Sequence, residues 1–396
     1  MDNLYFRETK FRNGFKEIFG KEYKSSITAS FVKYTGRVFL VLISFALAVV
    51  IALTMTINAF CNGNSPSAKK VFVTTILENG QLKFLASVFL SPEEIQEVVN
   101  NNSMEDFNEE VDTSLITVEA ISNKTSDTMG QASNNTLVVQ TITKTESKEE
   151  KDIEVVEIAG RTFFATMLIV KDPSKVSLAT IYPWKDRGLT LDKLVKNNDA
   201  IAGTNAGLYE SSENSGGRPC GVVVSNGEIL MNEPQGYAGL VLIGLTEENI
   251  LVIQDVSKMS STESETYIKD NKIRDAVCFQ EEKSDKNNHF VQLIINGEQR
   301  EMNGMGSGLN PRTAIGQRAD GTLLFLVTDG RGSSGHLGAS ASDLINIMAE
   351  YDAVNAANLD GGSSSCMYYE DEYLMNSVTF YYSNSSWYLP FAWIIK

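Results

Sequence analysis

Two arginines bracket one apolar run in "NPRTAIGQRADGTLLFLVTDGR", residues 310–331. Arg312 follows Asn-Pro and Arg331 follows Asp-Gly, places where a turn needs no arginine for its backbone. Planar guanidinium forks suit a phosphate or a carboxylate. Asp329 and, further on, Asp360 in "NLDGGSSS" each end an apolar run and precede glycine. Gly361, Gly362 and Ser363 offer successive amide and hydroxyl donors of the kind that line an anion nest. Asn205 in "AGTNAG" suits a sugar hydroxyl, and His336, one of only two histidines, lies in "GSSGHLGAS" just before a helix start. The plainer alternatives are turn capping for the aspartates and Asn205, and solvation for the arginines and His336. His289 reads as incidental. No metal is expected, because no cluster of His, Cys and carboxylates has ligand spacing. A calcium ion on Asp329 or Asp360 stays open, since oxygen ligands leave little trace in sequence.

Such groups must be held by a rigid frame, and residues 153–396 supply the pattern of one. Short β-like runs recur there: "RTFFATMLIV", "KVSLATIY", "GVVVSNGEIL", "GLVLIGL", "NILVIQDV", "HFVQLIING", "TLLFLVTDG" and "SVTFYYS". Gly, Asn and Asp turns separate them. Two helices are legible, in "TLDKLVKNND" and in "SASDLINIMAEYDA", where Leu344, Ile345, Ile347 and Met348 make a helical stripe behind Ser340 and Asp343. Many strands and few helices predict an α+β domain with a mixed sheet, not a doubly wound one.

The segment "VFLVLISFALAVVIALTMTINAF", residues 38–60, carries no charge and is long enough to cross a bilayer as a helix. Residues 1–37 hold eight Lys or Arg against four Asp or Glu, a balance of +4, so the remainder carries −20 of the formal −16. That asymmetry predicts a cytoplasmic amino terminus and an extracellular body in a single-pass cell-membrane protein. Phe60 stands where a cleavage site wants a small residue, so an uncleaved anchor is expected. Residues 61–152 divide into a membrane-proximal helical element, with a helix start at Ser91-Pro92-Glu93-Glu94, and a stalk rich in Asn, Ser, Thr and acids. The stalk has too little apolar surface to offset its ordering entropy. The acidic balance argues against a nucleic-acid partner and means that an anionic substrate must meet a local cluster of cations. Four cysteines (Cys61, Cys220, Cys278 and Cys366) are too few for a disulfide scaffold. The three in the body allow one disulfide plus a spare, or three buried thiols. Oligomeric state leaves no signal.

The ordered set "GTNAG", "NPRTAIG", "DGTLLFLVTDGR", a helix ending "AVNAANLDGGSSS" and a closing "YLPFAWIIK" resembles the phosphodiester glycosidase family over roughly residues 155–396. Membrane-anchored bacterial members of that family, linked to exopolysaccharide, look similar through "VFVTTILENGQLKFL" too. Two departures stand out. Asp352 sits where the family usually has glycine, and "TNAGLY" replaces the commoner Asn-Gly-Gly-Phe beside the expected site. The resemblance implies cleavage of a glycosyl–phosphate bond, as in removal of N-acetylglucosamine from a sugar phosphate. It would cast Arg312, Arg331 and Gly361–Ser363 as a phosphate cradle and Asn205 as a sugar-positioning group. Asp329 and Asp360 would be the carboxylates and His336 an acid. No cofactor is implied. Two other readings remain: a non-catalytic glycan-binding or assembly factor for surface polysaccharide, and a glycosidase of the same fold acting on ordinary sugar–sugar linkages.

Overall fold

The computed structural model describes residues 33–79, 82–107, 109–118, 152–210, 215–332, 335–378 and 385–396. The runs "TLVVQTIT" and most of "SVTFYYS" lie outside them. The chain forms two compact units, Met1–Ser65 and Pro66–Lys396. In the first, one helix spans Lys33–Asn62 and is long and apolar enough to cross a membrane. It contains the whole of the 38–60 run. At ~1.5 Å per residue it exceeds the ~30 Å hydrocarbon core of a bilayer.

Among the described residues the second unit holds three large sheets and a two-stranded one, Glu282–Lys283 with Asn288–His289. The largest has seven strands in the spatial order Ile153–Ala159, Phe164–Val170, Leu323–Thr328, Thr313–Arg318, Ala353–Asn358, Gln292–Ile295 and Glu298–Gln299. A five-stranded sheet runs Glu372–Met375, Met367–Tyr369, Ala202–Asn205, Phe391–Ile395, Val176–Thr180. The other runs Glu228–Asn232, Val222–Ser225, Ile273–Gln280, Leu240–Thr246, Leu251–Asp255. The fold is α+β and rich in sheet. The pairings, expected to be mixed in direction, are all antiparallel among the described residues.

Period-two alternation decides the layering. Leu168, Phe325 and Ala357 face a central core that they share with Trp393 and Ile394 of one small sheet and Ile243 and Val277 of the other. Their neighbours Met167, Leu324 and Ala356 face the opposite way, onto the helix Ala341–Glu350 through Leu344, Ile345, Ile347 and Met348. That helix starts where Ser340 accepts from the Asp343 N–H and the Asp343 carboxylate accepts from the Ser340 N–H, a capping box worth ~1 kcal/mol. The helix Ser261–Asp270 covers the outer face of the third sheet through Ile268. It has too few apolar residues to have stood out in the sequence. "AVNAAN", which looked like a helix end, is the strand Ala353–Asn358: the helix has already closed at Tyr351.

The stretch 61–152 is divided by the structure. Helices Pro66–Leu77, Phe84–Phe89 and Pro92–Asn100 belong to the same unit as the sheets, and residues 119–151 are outside the description. Ser91 caps the third of these with a full capping box, as its sequence predicts. The three cysteines of the body, Cys220, Cys278 and Cys366, are buried thiols outside any disulfide, the second of the two alternatives.

Asp352 adopts a left-handed backbone, φ 60°, just past the end of the 341–350 helix. Glycine is favoured there because it carries no Cβ to crowd the following carbonyl. Asp352→Gly should therefore raise stability, by ~0.5–1 kcal/mol after the entropy that glycine adds to the unfolded chain. Chemical denaturation of the two proteins at equal pH checks it.

Candidate active site

The site grows from the register of three adjacent strands. Thr313 lies opposite Val327 on one side, and Ala314 opposite Asn358 on the other. Residues 310–312 therefore run between the ends of two flanking strands. The Thr328 N–H donates to the Arg312 carbonyl (2.9 Å) and the Gly362 N–H to the Pro311 carbonyl (2.8 Å). Asp329 to Arg331 is thereby placed on one flank and Asp360 to Ser363 on the other.

Arg331 crosses that gap. Its Nη1 donates to Ser363 Oγ (3.0 Å) and its Nε to Asn310 Oδ1 (3.2 Å). It lies directly over Gly362, where an added Cβ would come within 2.7 Å of Nη2. Gly362 also has φ +63°, so both backbone and space demand glycine there. Burial, with a contribution from the nearby Arg312, lowers the Arg331 pKa to about 10, which still leaves a cation at neutral pH.

The carboxylates occupy unlike surroundings. Asp360 is half-buried. Burial pushes its pKa up to about 7, against hydrogen bonds from Ser364 and the Gly361 N–H and the charge of Arg331. Buried Tyr209 places its hydroxyl 2.9 Å from Ser364 Oγ on the same side. Asp329 instead has both oxygens engaged. Oδ1 accepts from the Phe164 N–H (2.7 Å) and Oδ2 lies 2.6 Å from His336 Nδ1. Its geometry is that of a carboxylate that orients an imidazole, leaving Nε2 of the one-third-exposed His336 to meet solvent or ligand.

Two expected binding groups are committed elsewhere. Asn205 is fully buried. Its amide donates to the Asp360 carbonyl (2.6 Å), and its oxygen accepts from Thr313 Oγ1 (2.7 Å) and the Cys366 N–H (3.2 Å). It latches the Asp360 loop to the strand ends and, with no surface exposed, is out of reach of a sugar. Arg312 is also buried, stacked 4.9 Å above the Phe290 ring, with Nη2 donating to Gly308 O (2.8 Å) and Ser307 Oγ (3.1 Å) and paired with Glu78. Within the anion nest, the Gly362 N–H is spent on the Pro311 carbonyl, the Gly361 N–H faces the Asp360 carboxyl, and Ser363 Oγ accepts from Arg331.

Glu78 is the residue that sequence reasoning missed. It follows the helix Pro66–Leu77, its side chain is 2% exposed, and it also accepts from the Gly308 N–H (2.7 Å) and Asn310 Nδ2 (3.0 Å). A lone glutamate after an apolar run gives no sign of an arginine 234 residues away. Among the described residues no three His, Cys, Asp or Glu side chains gather to hold a metal ion.

The family model for phosphodiester glycosidases matches residues 198–396, half of the chain. The chain belongs to the phosphodiester glycosidase family. That membership supports a glycosidase-type function, and the matched region holds every site residue above except Glu78 and Phe164. A curated relative, the SPbeta prophage-derived uncharacterized protein YomE of Bacillus subtilis strain 168, is 43% identical over 67 residues, 17% of this chain and 10% of its own length. The match thus spans about a tenth of that relative. The catalytic domain of zebrafish N-acetylglucosamine-1-phosphodiester alpha-N-acetylglucosaminidase, auto-inhibited by its pro-peptide, is a similar solved structure. It is 15% identical with a TM-score of 0.47, over 65% of this chain and 88% of that one. A hypothetical protein from Synechocystis is 15% identical with a TM-score of 0.41, over 66% and 64% of the two chains.

The raised Asp360 pKa carries a stability consequence. A carboxyl lifted from 3.8 to about 7 favours folding below the unfolded value, and that contribution is lost as pH rises towards 7. Asp360→Asn should therefore stabilise the protein at pH 8 by ~1–3 kcal/mol, a figure reduced for the residue's partial exposure, and change little at pH 4. Thermal melts at the two pH values check the sign.

Proposed function

We propose that the protein is a membrane-anchored hydrolase whose folded body lies outside the cell and cleaves a glycosyl–phosphate bond in surface or environmental glycans. The observation that carries this reading is the guanidinium of Arg331, laid across Gly362 and bonded to Ser363 beside a carboxyl that titrates near neutrality. The apolar helix near the amino terminus and the basic flank before it support the anchoring.

In this reading a phosphodiester places a non-bridging oxygen against Arg331 and the Ser363 hydroxyl. The bond from the anomeric carbon to the phosphate oxygen breaks, and both its electrons leave with a phosphomonoester. Such a leaving group needs little protonation, so neutralisation by Arg331 is the larger demand. The anomeric carbon then gains the oxygen of a water molecule. The water's proton passes to a base, for which His336 Nε2, oriented by Asp329, and ionised Asp360 are the two candidates. Asp329 acts through the imidazole. Arg312 and Asn205 hold the frame.

The test offers the full-length protein, in detergent, N-acetylglucosamine-1-phosphodiesters beside matching phosphate-free glycosides. Release confined to the phosphodiester is expected. Equal release from both would make it an ordinary glycosidase, and no release from either would favour a glycan-binding or assembly factor. Arg331→Gln should lower kcat on the order of 10²–10³-fold. Its release of sugar from the phosphodiester should fall far more than its thermal stability.

A further inference from the structure

We infer that Glu78, carried on the helical segment between the apolar helix and the sheets, sets the charge of the anion site so that it accepts a phosphodiester monoanion and rejects a phosphomonoester dianion. The inference rests on the reading of this cleft as a phosphate site and adds to it a specificity-determining residue outside the matched family region.

The argument is one of charge and of fixed geometry. Six ionisable groups gather at the strand ends: Glu78, Arg312, Arg331 and Asp360, with Asp329 paired to His336 on the Arg331 flank. Glu78 and Arg312 are both buried and paired, with side chains 2% and 7% exposed. Asn310 joins that pair to the site, since its Nδ2 donates to Glu78 Oε2 (3.0 Å) and its Oδ1 accepts from Arg331 Nε (3.2 Å). Arg331 feels both members of the pair, Arg312 lowering its pKa and Glu78 raising it. With Glu78 in place, Arg312 contributes no net charge, and a single guanidinium faces the ligand. Ionised Asp360 offsets even that one. Counting the Asp329–His336 pair, the site has no excess of cationic over anionic groups, and it holds a monoanion by hydrogen bonds without the repulsion that a second negative charge would meet. Cleavage of a phosphodiester converts a monoanion into a monoester that is largely dianionic at neutral pH. The same charge balance therefore favours release of product over retention.

Glu78 is built in and does not plug the site reversibly. Thr75 Oγ1 accepts from the Leu309 N–H (3.0 Å), and Gly308 packs so closely that an added Cβ would sit 2.4 Å from the Thr75 backbone nitrogen. Further along, Asn102 Nδ2 donates to the Ser307 carbonyl (2.8 Å) and its Oδ1 accepts from the Met305 N–H (2.9 Å). The segment is tied to residues 305–310 along its length. A carboxylate so fixed is a positioning residue that acts through Arg312 and Asn310.

The test is calorimetric binding of two small probes to the full-length protein at pH 8: dimethyl phosphate, a permanent monoanion, and methyl phosphate, a dianion there. The wild type should bind the monoanion at least as tightly as the dianion, and Glu78→Gln should tighten methyl phosphate about tenfold while moving dimethyl phosphate less. The double variant Glu78→Gln with Arg312→Gln, which removes both charges, should restore the wild-type order. A wild type that binds methyl phosphate tenfold more tightly than dimethyl phosphate overturns the inference, whether or not the single variant folds. A folded Glu78→Gln protein with an unchanged preference also overturns it. These outcomes do not depend on turnover. Monoanion preference without glycosidase activity would remove the proposed function and leave this inference. Activity with dianion preference would do the reverse.

Discussion

A guanidinium as deeply buried as that of Arg312 costs several kcal/mol unless a counter-charge lies against it. Glu78 meets that demand, and much of the site follows from the way it does so. The pairing draws the end of the Pro66–Leu77 helix onto residues 307–310, beside the mouth of the seven-stranded sheet. It orients Asn310, which in turn holds Arg331. Removing either partner would leave an uncompensated buried charge, a loss of ~3–5 kcal/mol. Arg331 is then left bonded to Asn310 and Ser363, with no carboxylate in an ion pair with it among the described residues.

The sheet supplies the remaining order. Because Thr313–Arg318 is flanked on both sides by antiparallel neighbours, the two aspartate-bearing ends rise on opposite flanks of the 310–312 segment. Their surroundings then separate their chemistry. Asp329 is tied to a backbone N–H and an imidazole, whereas Asp360 sits in a drier place that lifts its pKa to about 7. Two carboxyl groups in unlike environments are the usual means by which one site holds an orienting group and a titrating one. Asn205, by clamping the Asp360 carbonyl, keeps the second flank from drifting.

Much of this frame was legible in the sequence. The short, continuous apolar runs around Phe164–Val170 and Leu323–Thr328 read as strands because both faces of that sheet are buried. The helix Ala341–Glu350 announced itself through its cap and stripe. Arg331 drew notice because a turn needs no arginine for its backbone, and Asp329, Asp360, Ser363 and His336 because they stand in glycine-rich stretches near it or after apolar runs. What was missed shares one physical cause: it depends on contacts between distant parts of the chain. Glu78 and Arg312 are 234 residues apart. Asn205 resembles a sugar ligand until its amide is seen to be spent at Asp360, 155 residues on. The helix Ser261–Asp270 presents Ile268 to a sheet it covers, with too short an apolar stripe to show a period. Local pattern reports local geometry, and the commitment of a polar side chain to one partner is not local.

The central claim is that the protein breaks the bond between an anomeric carbon and a phosphate oxygen. The most direct measurement is hydrolysis of a sugar-1-phosphodiester in water enriched in oxygen-18, followed by mass analysis of both products. The account requires the heavy oxygen in the released sugar and none in the phosphomonoester. Heavy oxygen in the phosphomonoester would mean attack at phosphorus and would contradict it.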